Sequence, residues 1–137
     1  MTTDLKLLAA ATLLTWLMLV VASLMRTHGW TPTGLRLAFG NRDDLDAPSP
    51  ATARADRAAK NMLENLILFA ALVLTAHAGG TATAAATAPR VVLGAHIFFW
   101  ARVAYWPVYL AGIRYLRTMI WLVSLVGLAL IASTLLP

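Results

Sequence analysis

The chain of 137 residues is 60% hydrophobic and only 12% charged, with a mean hydropathy of +0.72. A soluble domain of this length does not need so much apolar surface, so the composition indicates a polytopic membrane protein with a single domain, residues 1–137. The sequence contains no cysteine, which excludes disulfides, zinc–thiolate sites, iron–sulfur clusters and a cysteine nucleophile. The spacing of its His, Asp and Glu residues fits no metal site.

The formal net charge is +5, which in a soluble protein would suggest nucleic acid as a partner. Here most basic residues lie at the ends of apolar segments, where membrane topology and anionic lipid headgroups explain them. We therefore expect membrane lipid as a partner and no nucleic acid.

Four apolar segments are long enough to span the ~30 Å hydrocarbon core of a bilayer at about 1.5 Å per residue. We predict membrane helices over residues 5–27, 50–78, 89–110 and 114–136. The first run is longer than the apolar part of a signal peptide, so we expect it to be retained. Ser49-Pro50 predicts the start of the second span and Gly79-Gly80 its end. The sequence therefore predicts an all-α membrane protein, a bundle of four transmembrane helices.

The connection between the first two spans, residues 27–53, contains several residues that break helices. These are Gly29, Pro32, Gly34, Gly40, Pro48 and Pro50. Charged residues make the same connection polar, namely Arg36, Arg42, Asp43, Asp44 and Asp46. Trp30 lies near the membrane end and is expected to be an interfacial anchor. We expect no long helix in this connection.

The distribution of basic residues predicts the orientation in the membrane. The two connections on one side carry eight of them: Arg26, Arg36, Arg42, Arg54, Arg57, Lys60, Arg114 and Arg117. The other side has only Lys6 and Arg90. The positive-inside rule places the eight in the cytoplasm, so we expect both termini on the opposite side of the membrane.

The second predicted span begins with a charged run that continues without a break into an apolar one. At about 100° per residue, four polar side chains fall within an arc of roughly 80°. They are Arg54, Arg57, Asn61 and Glu64. Two guanidiniums, an amide and a carboxylate therefore share one face where the helix enters the membrane, and this face needs a ligand or a protein partner.

The third and fourth spans present polar faces toward the same side of the membrane. On the third, Arg102, Tyr105 and Tyr109 lie within about 60° of arc. On the fourth, the corresponding residues are Arg114, Arg117 and Trp121, with Thr118 beside them. These faces are candidate walls of one site.

Arg102 lies well inside an apolar run, where an ionisable group costs at least ~2.5–3.5 kcal/mol on insertion scales. It needs an anionic partner, and we interpret Glu64 as the only carboxylate near any span. The sequence predicts a Glu64–Arg102 pair. Such a pair either fastens the second span to the third or belongs to a ligand site, and the sequence leaves both interpretations open.

Five arginines converge on the carboxylate of Glu64: Arg54, Arg57, Arg102, Arg114 and Arg117. This surplus favours an anionic ligand, preferably one whose carboxylates accept bidentate guanidinium bonds. Glu64 would then bind a cationic group such as an ammonium. The pattern suits a small zwitterion with several carboxylates; the alternative is a basic rim that binds lipid headgroups.

These residues resemble the MAPEG superfamily, the membrane-associated proteins in eicosanoid and glutathione metabolism, over essentially the whole chain. The most specific part is the pattern R-x-x-R-x-x-x-N-x-x-E of the second span, which begins at Arg54. The third span matches the family's run R-x-x-[YH]-x-x-x-Y from Arg102, and Arg117 matches the family's arginine in the fourth. Residues 36–41 are similar to the first-loop motif. The chain looks most like short, bacterial-type members related to microsomal glutathione transferases.

The resemblance implies a homotrimer in the bacterial inner membrane, with glutathione as co-substrate between neighbouring subunits near the cytoplasmic side. Carried over by residue, it assigns glutathione binding to Arg54, Arg57, Asn61, Glu64, Tyr105 and Tyr109. The charge argument adds Arg102 to these binding residues. Arg117 would be the catalytic residue, because a nearby guanidinium favours the thiolate of a thiol that ordinarily titrates near ~8.5. The implied activity is that of a transferase or peroxidase acting on a lipophilic electrophile or hydroperoxide.

Three departures from the family pattern affect this interpretation. Trp121 stands where prostaglandin-synthase-like members have tyrosine, and Lys60 stands where some members have arginine. The interval from Tyr109 to Arg117 differs by one residue from some members, which leaves the register of the fourth span open by about one position. Because the chain looks most like short, bacterial-type members, eicosanoid substrates are not expected. Two other functions stay open: a non-catalytic scaffold that binds lipid or a partner, and a small transporter of lipophilic cations that uses Glu64. The surrounding arginines argue against a cation site.

Overall fold

The computed structural model describes residues 1–41 and 45–136, and all regular secondary structure within these residues is helical. The helices are α1 (Thr3–Thr27), α2 (Pro32–Phe39), α3 (Pro50–Ala78), α4 (Ala88–Ala111) and α5 (Arg114–Ala132). α1, α3, α4 and α5 are long and apolar enough to cross a membrane. The predicted all-α class and its four spans are therefore confirmed. The predicted polar loop residues Arg42, Asp43 and Asp44 lie outside the described residues.

The ends of α3 follow from local chemistry. The Ser49 hydroxyl accepts a hydrogen bond from the Thr52 N–H at 3.2 Å, and Pro50 occupies the first turn, where no backbone donor is needed. α3 ends at Ala78 immediately before Gly79. The sequence predicts both ends correctly.

The last helix ends earlier than predicted. α5 stops at Ala132, whereas the apolar run predicted a span to residue 136. The Ser133 hydroxyl donates to the Leu130 carbonyl at 2.8 Å, and the Thr134 hydroxyl donates to the Ile131 carbonyl at 2.7 Å. These bonds supply partners for carbonyls of the last helical turn, so the chain can leave the helix there.

The connection between α1 and α3 contains a short helix, α2, which the sequence did not predict. Pro32 lies in its first turn, and the Thr31 hydroxyl caps it by accepting the Gly34 N–H at 3.0 Å. A Cβ atom at Gly34 would lie 2.1 Å from the His28 carbonyl oxygen. Two residues interpreted as helix breakers thus start α2 and allow it to pack directly against the end of α1.

In the bundle, α1 packs mainly on α3, and α4 packs mainly on α5. The two pairs meet in the core, where the rings of Phe69 and Phe98 stack with their centroids 4.2 Å apart. Between α4 and α5, Gly94 and Gly127 bring the helix backbones into contact. Small residues at such positions allow close helix packing in a bilayer, where dispersion contacts drive association.

A hydrogen-bonding contact joins α1 to α3 at the membrane side opposite the predicted site. His77 Nε2 lies 2.6 Å from Asp4 Oδ2, and Asp4 is completely buried. The sequence indicates only an interfacial position for His77, because Asp4 lies 73 positions away along the chain. This contact fixes the axial position of α1 against α3.

Replacing Gly127 with alanine is expected to destabilise the bundle by about 1–3 kcal/mol, the usual cost of overpacking. The added Cβ atom would lie 2.6 Å from the Gly94 carbonyl oxygen and 2.7 Å from the Phe98 nitrogen, so α4 and α5 would have to separate. Thermal unfolding of the purified protein in detergent measures the effect. Gly40→Ala is the control, because its Cβ atom would lie 3.4 Å from the nearest carbonyl oxygen. Equal melting temperatures for the two variants would contradict the account of α4–α5 packing.

Candidate functional site

An open cleft of about 180 Å³ lies between α3, α4 and α5, near the turn that joins α4 to α5. Its lining residues are Asn61, Tyr105, Tyr109, Arg117, Thr118 and Trp121. The fold therefore brings together four of the predicted site residues, which come from three different helices.

The turn between α4 and α5 sets the geometry of this cleft. Gly112 ends α4 with φ of 78°, a left-handed conformation that glycine adopts without strain. The chain then reverses, so that the guanidinium carbon of Arg117 lies over the ring of Tyr109, 4.9 Å from its centroid. Tyr105 lies one turn before Tyr109, and their ring centroids are 5.3 Å apart. The cleft thus holds two phenols and a guanidinium in contact, a geometry favourable for cation–π attraction.

Arg102 lies behind the cleft wall and is 0% exposed. Its Nη1 donates to Asn61 Oδ1 at 2.8 Å, and its guanidinium carbon lies 5.3–5.4 Å from the ring centroids of Tyr105 and Phe98. Within the described part of the chain, its Nε and Nη2 atoms are buried without a hydrogen-bond partner. A buried cation with unpaired donors is energetically unfavourable, so this group needs an acceptor from outside the described chain.

The predicted pair between Glu64 and Arg102 is wrong. Glu64 is exposed on α3, and the Asn61 amide, almost one turn earlier on the same face, binds Arg102 instead. Angular position on a helix does not specify which residue of the next helix lies at the same height. The axial alignment of α3 and α4 puts Arg102 level with Asn61, and the guanidinium has no carboxylate partner among the described residues.

Arg54, Arg57 and Glu64 lie outside the cleft lining. Arg54 Nε donates to the Leu110 carbonyl at 2.9 Å, which ties the start of α3 to the end of α4 and satisfies a terminal carbonyl. One chain thus assembles part of the predicted site. Arg57 and Glu64, two charged residues on the polar face of α3, remain exposed.

Thr118 and Trp121 line the cleft, in agreement with the polar face predicted for the fourth span, although the sequence assigned neither of them a role in ligand binding. Helical spacing places Trp121, four positions after Arg117, on the same face of α5 and Thr118 beside that face. The Thr118 hydroxyl donates to the Arg114 carbonyl at 3.2 Å. Trp121 Nε1 is buried and has no hydrogen-bond partner among the residues described.

The charged groups that the described residues place at the cleft are all positive. Its lining includes the Arg117 guanidinium and no carboxylate from the described residues, and the buried Arg102 lies directly behind Asn61. Charges in a partly water-excluded site interact more strongly than in bulk water. The cleft therefore favours an anion with oxygen acceptors.

Four apolar helices and a polar cleft near one end of the bundle define an integral, multi-pass membrane protein. The family model described as the MAPEG family matches residues 5–136. The chain therefore belongs to the MAPEG family, membrane proteins of the superfamily of glutathione and eicosanoid metabolism. Comparisons with curated proteins and with solved structures found no match.

Proposed function

We propose that this protein binds glutathione in the cleft and acts as a glutathione transferase or peroxidase on lipophilic substrates. The observation that carries the proposal is the buried guanidinium of Arg102, two of whose nitrogens lack acceptors beside a cleft that also contains Arg117. Because the chain belongs to the MAPEG family, glutathione is the ligand that we expect to supply those acceptors. Glutathione has two carboxylates, one ammonium and one thiol.

The residues present fit such a ligand. Guanidinium donors form their strongest hydrogen bonds with carboxylates, and the two buried tyrosine side chains offer further hydroxyl donors in the cleft. Glu64 would take the ammonium group, since it is a carboxylate exposed on the α3 face that also carries Asn61. This assignment gives each charged group of glutathione an oppositely charged side chain.

The proposed assembly is a homotrimer with the ligand between neighbouring subunits. Its support is the exposure of Arg57 and Glu64, which one chain leaves open on the polar face of α3. A neighbouring subunit against this face would enclose a ligand that contacts both residues. The excess of basic residues on the side that carries the cleft supports a cytoplasmic position for the site, with both termini on the other side of a bacterial inner membrane.

In the proposed chemistry, Arg117 stabilises the glutathione thiolate after the thiol has lost its proton. For a transfer reaction, a sulfur lone pair forms the new S–C bond, and the leaving group departs with its bonding electrons. For a hydroperoxide, the sulfur attacks the terminal oxygen and the O–O bond breaks; a second glutathione then yields the disulfide, alcohol and water. The lipophilic substrate would enter from the bilayer.

Arg57→Ala and Glu64→Ala are each expected to raise the KM for glutathione about tenfold or more, since each removes a charge-assisted hydrogen bond. The measurement is glutathione-dependent conjugation of 1-chloro-2,4-dinitrobenzene by the purified protein. Lys60→Ala, an exposed charge on the same helix, is the control. Native mass spectrometry checks that each variant keeps an assembly of three times the 14.7 kDa chain mass. An unchanged KM in both variants, with intact trimers, would contradict the proposed binding mode.

A further inference from the structure

Trp121 contributes a hydrogen-bond donor that no other described residue uses. It lies on α5 one turn after Arg117, and its side chain lines the same cleft. Its Nε1–H is buried and has no acceptor among the described residues. A buried indole N–H usually finds an acceptor, because leaving the donor unpaired is unfavourable.

The neighbouring polar groups on α5 are already engaged. The Thr118 hydroxyl donates to the Arg114 carbonyl at 3.2 Å, and the Ser124 hydroxyl donates to the carbonyl of Trp121 itself at 2.7 Å. Both hydroxyls thus donate within α5, and neither accepts a hydrogen bond from the indole N–H, which stays an unpaired, uncharged donor among the described residues, one turn from Arg117.

The two donors suit different chemical groups. A guanidinium prefers an anion such as a thiolate or carboxylate, whereas an indole N–H carries no charge and suits a neutral oxygen acceptor. One helical turn separates their backbone positions by about 5.4 Å. A ligand whose sulfur lies near Arg117 can thus place an oxygen a few bonds away at Trp121.

We propose that Trp121 forms a subsite for a neutral oxygen acceptor on the electrophile, and this inference rests on the proposed function. The cleft would then prefer carbonyl-bearing electrophiles, such as α-halo ketones, over halides that lack an acceptor. In the reaction with an α-halo ketone, the thiolate sulfur forms the S–C bond and the halide leaves with its electron pair. The carbonyl is unchanged and keeps its hydrogen bond to the indole.

A matched pair of product conjugates tests the subsite without requiring turnover. S-phenacylglutathione and S-(2-phenylethyl)glutathione differ only by a carbonyl in place of a methylene next to the ring. Calorimetry on the purified full-length protein gives the ratio of their affinities. We expect the wild type to prefer the phenacyl conjugate about three- to tenfold, the value of one hydrogen bond, and Trp121→Phe to bring the ratio close to one.

Trp16→Phe is the control, because Trp16 is 63% exposed on α1, away from the cleft lining, and its variant should keep the wild-type ratio. A ratio unchanged in Trp121→Phe would overturn the inference. An equal loss of affinity for both conjugates, with a lower melting temperature, would also overturn it, because the indole would then bind an acceptor within the assembly. If neither conjugate bound the wild type, the proposed function would fail as well.

Discussion

Replacing Arg117 with leucine is expected to lower the kcat of glutathione conjugation about 10²- to 10³-fold, the usual effect of removing one preorganised stabiliser of a developing or reacting anion. Arg117 lines the cleft, and Tyr109 holds its guanidinium by a contact of 4.9 Å between the guanidinium carbon and the ring centroid. Leucine keeps the apolar part of the side chain and removes the charge. The KM for glutathione should change much less than kcat, because other residues are proposed to bind the carboxylates.

The dependence on pH provides a second readout for Arg117. A guanidinium stabilises the thiolate over the thiol, so its removal should move the acid limb of the pH–rate profile to higher pH, toward the ordinary thiol value of about 8.5. Arg117→Lys keeps a positive charge and should retain part of the rate and most of the profile. If Arg117→Leu left both the rate and the profile unchanged, Arg117 would have no role in stabilising the thiolate.

Replacing Arg102 with methionine is expected to weaken glutathione binding by roughly a hundredfold or more, in the range reported for charged groups that lose a buried partner. Methionine fills most of the space between Phe98 and Tyr105 without a charge. Exchanging a buried ionic group for a packed apolar one is often neutral or stabilising, so the melting temperature should stay the same or rise. Glutathione affinity should therefore fall while the melting temperature does not.

This outcome decides between the two roles that the sequence left open for Arg102. If Arg102 only fastened α4 to α3 through Asn61, Arg102→Met would lower the melting temperature and leave glutathione affinity intact. Arg114→Met is the matched control, because Arg114 is exposed and does not line the cleft. Its affinity and stability should stay close to those of the wild type.

Hydrophobic length and helix-end residues made most of the fold predictable. The chain has few charges within its apolar runs, so each span was visible as a run of sufficient length. Ser49-Pro50 and Gly79-Gly80 located α3 because capping and helix-ending chemistry depends on local residues. Helix α2 was not predicted because Gly34 acts through a close backbone contact with the end of α1, and helix propensity does not include such packing contacts.

Helical periodicity predicts only which residues share one face of a helix. It grouped Tyr105 and Tyr109 on one face of α4, and the fold places both in the cleft. It could not specify the axial alignment of α3 and α4, so Glu64 was assigned to Arg102 although Asn61 lies at that level. Periodicity also placed Trp121 on the α5 wall beside Arg117, but its unpaired N–H becomes apparent only once its surroundings are known.

Calorimetric titration of the purified protein with glutathione and with its diethyl ester, which blocks both carboxylates, tests the central claim most directly. The cleft is proposed to bind glutathione through Arg102 and the other basic residues that lack an anionic partner within the described chain. We therefore expect a Kd for glutathione of about 1 mM or tighter and binding of the ester weaker by about tenfold or more. Absence of glutathione binding up to about 10 mM by the folded protein, or equal affinity for the ester, would contradict the claim.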